Sequence, residues 1–386
     1  MKKKNNSKKK IGIFTGYYLP HLGGVERYTE KLVEQMQILN YDIVIVTSNH
    51  DNLKSIEKNN IKIYRLPIYN LFKQRYPLPK RNKVWKKLYK QIEDEKFDFI
   101  ICNTRFHLTT MIGAKLAKKH HIPAIVIEHG SNHFTVNNKV LDYFGSVYEH
   151  ALTNNLKKYI SHFYGVSYRC NEWLKHFNIN ADGVLYNAID GQAYEYYKNS
   201  HDPVADKNKI VISFAGRLIK EKGIYLLLEA FQSLKDKYSN IQLIVAGSGP
   251  TLDHLKKIYQ DKDIVFRGKL PYDKVMALYN DTDIFVHPSM FPEGLPTAIL
   301  EAGIMKCAII ATDRGGTVEV INQEDYGIIM EENVESLKDS LETLIKNKKQ
   351  RENLKNNIQK RVLEQFTWKI TAQKVSEVLE ELKNER

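Results

Sequence analysis

The chain has 386 residues, of which 42% are apolar and 27% charged, which is too long for one ordinary core and too apolar for a disordered chain, so two globular domains are expected. Its net charge is +13, all of it in the first half: residues 1–200 carry 31 Lys and Arg against 17 Asp and Glu, whereas residues 201–386 carry 27 against 28. Three widely separated cysteines, Cys102, Cys170 and Cys307, show no metal spacing and exclude a disulfide framework, which fits a reducing compartment, and the lack of a long apolar run excludes a membrane-spanning helix.

The first segment, MKKKNNSKKK, is basic but runs straight into a short strand, Lys10 to Phe14, without the apolar core of a signal peptide. A glycine-containing loop and an amphipathic helix to about Leu39 follow. Strands are predicted at Asp42 to Thr47, Ile61 to Arg65, Phe97 to Cys102, Ala124 to Ile127 and Phe163 to Ser167, with another at Val184 to Tyr186 and a helix over His107 to His120. The pattern then restarts. Strands at Lys209 to Ala215, Ile241 to Ala246, Ile264 to Arg267, Ile284 to His287, Ala308 to Ala311 and Gly327 to Ile329 alternate with helical sequence, beginning with a helix from about Gly223 to Tyr238. Strands alternating with helices imply parallel pairing, so the fold class is α/β, with two Rossmann-like doubly wound domains. The boundaries read as a basic tail over 1–10, a first domain over 11–190, a second over 191–365, and a final helix over 366–386 that crosses back to the first domain. Ligands of such sheets bind beyond the C-terminal ends of the strands, so the cleft between the domains is the expected site.

A densely basic stretch, Lys73 to Lys90, contains no acidic residue and interleaves Tyr76, Leu78, Trp85, Leu88 and Tyr89 with its cations. It reads either as a solvated helix face or as a surface for anionic lipid, where each cation adds about 1 kcal/mol and aromatics suit the interface. No recognition motif accompanies the charge, so nucleic acid is not the expected partner.

The segment FPEGLPTAILEAG, Phe291 to Gly303, holds Glu293 and Glu301 on either side of a helix start. Pro296 can open the helix because its missing N–H would have no acceptor there, and the amides of Thr297 and Ala298 then face an anion site. A phosphate cradle between two carboxylates suits a nucleotide sugar. Three other constellations join it. Gly23 and Gly24 precede the first helix, where backbone can approach a phosphate closely; the pair equally marks an ordinary turn, and it is not a GxGxxG fingerprint. Arg217 and Lys222, in FAGRLIKEKG, follow a strand end and suit a diphosphate, Arg as a fork and Lys as a point charge. His129, in VIEHGSNHF, follows another strand end and faces the cleft, where it could bond a sugar hydroxyl or steady charge in a transition state; the alternative is a structural histidine. No GxSxG, HExxH or P-loop appears, and no carboxylate pair is placed for glycoside hydrolysis.

Taken together, GGVERY, EHG, VLYNAID, AGRLIKEKG, VAGSGP, VFRG, EGLPTAILEAG, ATDRGG and FTW resemble the family 4 retaining glycosyltransferases of the GT-B fold over nearly the whole chain. The resemblance implies that Arg217 and Lys222 hold the donor diphosphate, helped by the backbone of Gly23 or Gly24. It implies that the Thr297 and Ala298 amides meet the phosphate nearer the nucleoside, with Gly294 and Leu295 beside them. Glu293 would accept from donor sugar hydroxyls, Glu301 from the ribose, and His129 would lie near the transferred sugar. The base would lie against backbone at Arg267 and Gly268. The first domain would bind a glycan, glycolipid or lipid-linked acceptor and the second a nucleotide-sugar donor, expected to be a UDP-sugar. Transfer would retain the anomeric configuration through front-face attack, with no cofactor and no divalent metal. The expected setting is cell-surface polysaccharide or glycolipid synthesis in the cytoplasm, peripheral to the membrane. One departure stands out: Lys306 and Ala308 occupy positions where relatives carry glycine and proline. The alternatives are a GT-B relative with epimerase or phosphorylase chemistry, and a non-catalytic basic binding protein.

Overall fold

A computed structural model describes residues 8–21, 23–58, 60–71, 76–133, 135, 138–291 and 293–385. The chain divides into two compact units, one of Met1–Tyr186 with Trp368–Arg386 and one of Asn187–Thr367.

The first unit is built on β1 (Lys10–Phe14), β2 (Asp42–Asn49), β3 (Ile56–Lys58), β4 (Lys62–Leu71), β5 (Tyr76–Pro79), β6 (Phe99–Asn103), β7 (Ala124–Glu128), β8 (His162–Gly165) and β9 (Gly183–Val184). They form a nine-stranded sheet in the order β3-β4-β2-β1-β6-β7-β8-β9, with β5 on β4. From β4 to β9 the pairing is parallel, with Ile11 opposite Ile43 on one side and Phe99 on the other. The central strands are apolar on both faces because helices cover both. Phe14, Val44, Val46, Ile100, Cys102 and Val126 share one cluster with Met111, Ala114 and Leu116 of the helix Leu108–His120. The helix Trp368–Asn384 belongs to this unit: Trp368 meets Tyr28 edge-on at 5.2 Å, and Tyr41 shares a 2.8 Å hydrogen bond with Ser376.

The second unit carries β10 (Ile210–Ala215), β11 (Ile241–Ala246), β12 (Ile264–Gly268), β13 (Ile284–His287), β14 (Ala308–Thr312) and β15 (Ile328–Met330), in the order β12-β11-β10-β13-β14-β15, all parallel. Alternation sorts the side chains. Ile212, Phe214, Leu243 and Val245 pack with Leu227, Leu228 and Phe231 of the helix Ile224–Lys235, while Val211, Ile244 and Ala246 face Leu278 on the other side.

Two antiparallel strands, β3 and β5, were not expected from the sequence, and β4 runs on to Leu71 rather than stopping near Arg65. Pro67 breaks the apolar pattern of β4; it lies opposite Asn49 at the last pair with β2, and its carbonyl accepts from the Lys80 N–H at 2.8 Å. In the basic stretch, Lys73 and Arg75 lie outside the described residues. The helix Lys83–Glu93 turns Leu88 into the core, with Trp85 and Tyr89 packed against the same cluster and stacked on each other at 5.1 Å. Both rings are half-buried, and Lys83, Lys86, Lys87 and Lys90 are exposed. Among the described residues no helix is long and apolar enough to cross a membrane, and the three cysteines are buried free thiols.

Candidate active site

In the second sheet the strand order reverses between β10 and β13. Neighbouring strands whose connections lead away in opposite directions leave a crevice at their C-terminal ends. The loops leaving there, 216–223 and 288–296, are locked together. The Met290 N–H donates to the Glu221 carbonyl at 2.8 Å. Gly223 has φ 72°, and a Cβ on it would lie 1.9 Å from the Pro288 carbonyl oxygen, so only glycine fits. This interlock brings the Lys222 ammonium onto the Glu293 carboxylate as an ion pair. The Ser289 hydroxyl donates to the same Glu293 Oε1 at 3.2 Å, and His287 Nε2 lies 3.8 Å from it. Neither His287 nitrogen has a hydrogen-bond partner among the described residues, and burial, with Lys222 nearby, pushes this imidazole down to about 4 against the pull of Glu293. It is neutral at neutral pH.

The loop after β14 closes on Glu293 from another side. The Gly316 N–H donates to the Gly294 carbonyl at 2.6 Å and the Thr312 hydroxyl to the Ser289 carbonyl at 2.5 Å. Gly315 has φ 60°, and a Cβ there would come within 2.5 Å of the Glu293 carbonyl oxygen. The following helix is Thr297–Ile304. Pro296, with an extended ψ of 113°, is the cap just before its first residue. Thr297 and Ala298 are thus the first two helical residues, whose amides have no intrahelical acceptor. Leu295 is buried beside them, and Glu301, one turn further in, is also buried. Burial and the Glu301 charge together raise the Tyr279 hydroxyl well above its usual range.

Arg217 is exposed and has no ion-pair partner among the described residues. It opens onto a cleft of about 230 Å³ lined by Gly216, Gly247, Ser248, Lys269 and Leu270, beyond the ends of β10, β11 and β12. Gly268 at the end of β12 has φ 67° and accepts from the Gly247 N–H at 2.8 Å. The Arg267 side chain is held at 3.3 Å by buried Asp202. The second unit thus gathers Arg217, Lys222, Arg267, Gly268, Glu293, Gly294, Leu295, Thr297, Ala298 and Glu301 around its strand ends. His287, Ser289 and Gly315 were missed by sequence reasoning. The only available signals were the polar end of the strand IFVH and the paired glycines of ATDRGG.

Residues 22–192 match the family model described as Glycosyltransferase Family 4, and residues 197–361 match Glycosyl transferases group 1. The chain is 30% identical to an uncharacterized glycosyltransferase of Methanocaldococcus jannaschii, over 97% of this chain and 99% of that protein. The chain belongs to the family 4 glycosyltransferases. It is also 25% identical to the capsular polysaccharide biosynthesis glycosyltransferase CapM of Staphylococcus aureus, over 52% of this chain and 57% of that one. Among solved structures, Anabaena HepE in complex with UDP superposes with a TM-score of 0.74 at 17% identity, over 97% of this chain and all of that one, and the shared fold is GT-B.

The first unit of this glycosyltransferase carries Gly23, Gly24 and His129. Gly23 is the extended cap, φ −154°, of the helix Gly24–Ile38. A Cβ on Gly23 would lie 2.3 Å from the buried Glu26 carboxylate, whereas one on Gly24 would meet nothing within 4 Å, so approach is open at Gly24. His129 follows β7 and packs edge-on against Tyr28 at 4.7 Å. Burial lowers it to about 3, so it acts as a neutral imidazole and carries no positive charge. Its tautomer follows from its neighbours. The Thr29 hydroxyl donates to the Val25 carbonyl and so accepts from Asn103 Nδ2 at 2.7 Å. That turns Asn103 Oδ1 toward His129 Nε2, 3.3 Å away, making Nε2 the donor and Nδ1 the acceptor.

The turn bearing His129 is held from beneath. Glu128 Oε1 accepts from the amides of His129 and Gly130 at 3.1 and 3.0 Å. Glu128 Oε2 meets Arg105 Nη1 at 3.1 Å, and Arg105 Nη2 meets Glu149 Oε2 at 2.8 Å. All three charged groups are buried, and the guanidinium lies 3.9 Å from the Phe177 ring centre. At the ends of β1 and β2, Tyr17 stacks on His50 at 4.3 Å, with His107 edge-on to Tyr17 at 5.4 Å.

Proposed function

We propose that the chain is a retaining hexosyltransferase that moves a sugar from a nucleotide-diphosphate donor, a UDP-sugar, to a glycan or lipid-linked acceptor. The observation that carries this reading is the convergence, at one strand reversal of the second unit, of Arg217, Lys222, a helix start at Thr297 and the carboxylate of Glu293. Two cations and free helix amides suit a diphosphate. Glu293 would accept from sugar hydroxyls once the diphosphate draws Lys222 away. Glu301 would accept from the ribose, with the base against the backbone of Arg267 and Gly268 at the cleft beside Arg217. UDP as the nucleotude carrier is supported by the HepE complex, and a cell-surface glycan acceptor by the likeness to CapM.

The proposed chemistry is front-face substitution. The bond from the anomeric carbon to the diphosphate oxygen breaks, a bond to the acceptor oxygen forms on the same face, and the acceptor proton passes to the departing diphosphate. Arg217 and Lys222 balance the leaving charge, so no divalent metal is called on. On the first unit, we assign Nδ1 of His129 to accept from a sugar hydroxyl, the open backbone at Gly24, beside Gly23, to a phosphate, and the Tyr17 and His50 platform to an acceptor sugar face. The protein would act in the cytoplasm, and Lys83, Lys86, Lys87 and Lys90 would draw it to an anionic membrane surface by charge alone.

The test is a thermal-shift screen of UDP-, GDP- and ADP-sugars, since a bound ligand stabilises only the folded state. Product analysis by NMR follows for the stabilising donor, with and without added Mg2+. A UDP-sugar that stabilises the protein and yields a product of unchanged anomeric configuration, without Mg2+, is expected. Inversion, a strict Mg2+ requirement, or turnover without an acceptor would overturn the corresponding part of the reading. Flotation with anionic liposomes at low salt tests the membrane assignment, and a protein left at the bottom of the gradient removes it.

A further inference from the structure

Three histidines distant in sequence converge on the first unit. His133 lies in the loop after β7, His150 on the helix Lys139–Leu156, and His176 at the C-cap of the helix Tyr168–Lys175. One ligand nitrogen from each lies within 4.8 Å of the others. The Nε2 atoms of His150 and His176 are 3.1 Å apart. A tetrahedral zinc with bonds of about 2.0–2.1 Å sets its ligand nitrogens about 3.3 Å apart, so these two are already spaced to share one ion. His133 is oriented from behind: Nδ1 meets Glu149 Oε2 at 3.1 Å, which makes Nδ1 the donor and leaves Nε2 as a lone pair. The Ser146 hydroxyl, 3.2 Å from that Nε2, would give way to an ion. Trp173 walls the cluster, stacked on His176 at 4.8 Å and edge-on to His133 at 4.9 Å.

The surroundings suit a cation. Buried Arg105 sits between two carboxylates, Glu128 and Glu149, so the network carries one negative charge in excess. Three imidazoles without thiolate or a further carboxylate select zinc or a similar borderline divalent ion over Mg2+ or Ca2+.

We propose that His133, His150 and His176 form a site for one divalent transition-metal ion, zinc in class, with a water in the fourth position and Glu149 as the outer partner that orients His133. The ion would fasten the loop after β7 to two helices. It would act on the turn bearing His129 through Glu149, Arg105 and Glu128. None of the three ligands is among the residues assigned to the nucleotide sugar, so a chain that binds no zinc would leave the reading of the donor site standing.

The experiment uses tag-free full chain stripped with a chelator and titrated with Zn2+ and with Co2+. One ion per chain is expected, with a rise in melting temperature and the intense visible bands of tetrahedral Co2+. His150→Ala and His176→Ala should each weaken binding by more than about tenfold, the loss that follows removal of even an outer-shell partner. His254→Ala, on the second unit, should bind as wild type. Should the first two variants fail to fold, X-ray absorption on the zinc-loaded wild type decides, with three imidazole ligands expected. Sub-stoichiometric binding, an octahedral Co2+ spectrum, fewer than three imidazoles, or unchanged affinity in both folded variants would overturn the site.

Discussion

The ammonium of Lys222 and the carboxylate of Glu293 are bonded to each other, although they are 71 residues apart and each is assigned to a different part of one donor. The pair is mostly buried and is supported by Ser289 and His287 around the same carboxylate oxygen. A diphosphate approaching Lys222 competes directly with Glu293 for it. On the proposed reading, donor binding would release the carboxylate as the sugar arrives to use it.

This relationship separates the two single mutants. Lys222→Ala removes a charge-assisted contact worth about 1.5–3 kcal/mol, so the dissociation constant for UDP should rise about 10- to 150-fold. Glu293→Ala removes the competitor of the diphosphate and a contact to the sugar. UDP should bind at least as well as to the wild type, while transfer is lost. Calorimetry with UDP and a transfer assay distinguish them; if Glu293→Ala weakens UDP as much as Lys222→Ala does, the two roles are not separate.

Gly315→Ala tests whether Glu293 is held in place from the ATDRGG loop. Its φ of 60° and the 2.5 Å approach to the Glu293 carbonyl leave no room for a methyl group. The expected cost is about 1–3 kcal/mol of stability, with kcat falling more than UDP affinity, because the displaced group is the carboxylate and not the cations. Gly24→Ala, where a Cβ meets nothing within 4 Å, serves as the unstrained control and should fold with wild-type stability.

What the sequence showed and what it hid have physical causes. β11 and β13 have the bounds expected, Ile241 to Ala246 and Ile284 to His287, because each is an apolar run buried on both faces and flanked by polar turns. β3 and β5 were invisible: they are short edge strands, and the sequence around Pro67 and Pro77 looks like loop. Arg217, Lys222, Glu293 and Glu301 were legible because each lies within a short motif at a strand end or helix start. The Lys222 and Glu293 pair, the approach of His287, and the meeting of His133, His150 and His176 were not, because tertiary folding creates them across tens of residues with no local pattern. That Trp85 and Tyr89 of the basic stretch pack against the core cluster was likewise hidden, since helix phase alone does not tell which face the core will claim.

The Arg105 network gives a prediction about how the His129 turn is maintained. Arg105→Ala leaves Glu128 and Glu149 buried and facing each other without a cation, and should cost about 3–5 kcal/mol in urea unfolding. Glu128→Gln keeps an acceptor for the two amides and should cost less. A loss below about 1 kcal/mol for Arg105→Ala would mean that water replaces the guanidinium and that the turn does not depend on it.

Buried and half-buried histidines set the behaviour in acid. His107 and His129 are lowered to about 3 and His287 to about 4, chiefly by burial, against 6.5 when exposed. The sign follows from linkage: below 6.5 the unfolded chain takes up protons that the folded chain refuses, so stability is full above that pH and falls as pH drops toward the folded values. Each such group steepens the fall by about 1.4 kcal/mol per pH unit. His50 and His150 shift in the same direction and add to the slope. Urea unfolding from about pH 7 down to about pH 5 should therefore show a steep loss before most carboxylates titrate. His287→Gln should make that limb shallower by one group's share, since glutamine takes up no proton in either state. An unchanged slope in this variant would show that His287 gains its proton in the folded protein, and so that its place beside Lys222 and Glu293 is wetter than its burial indicates.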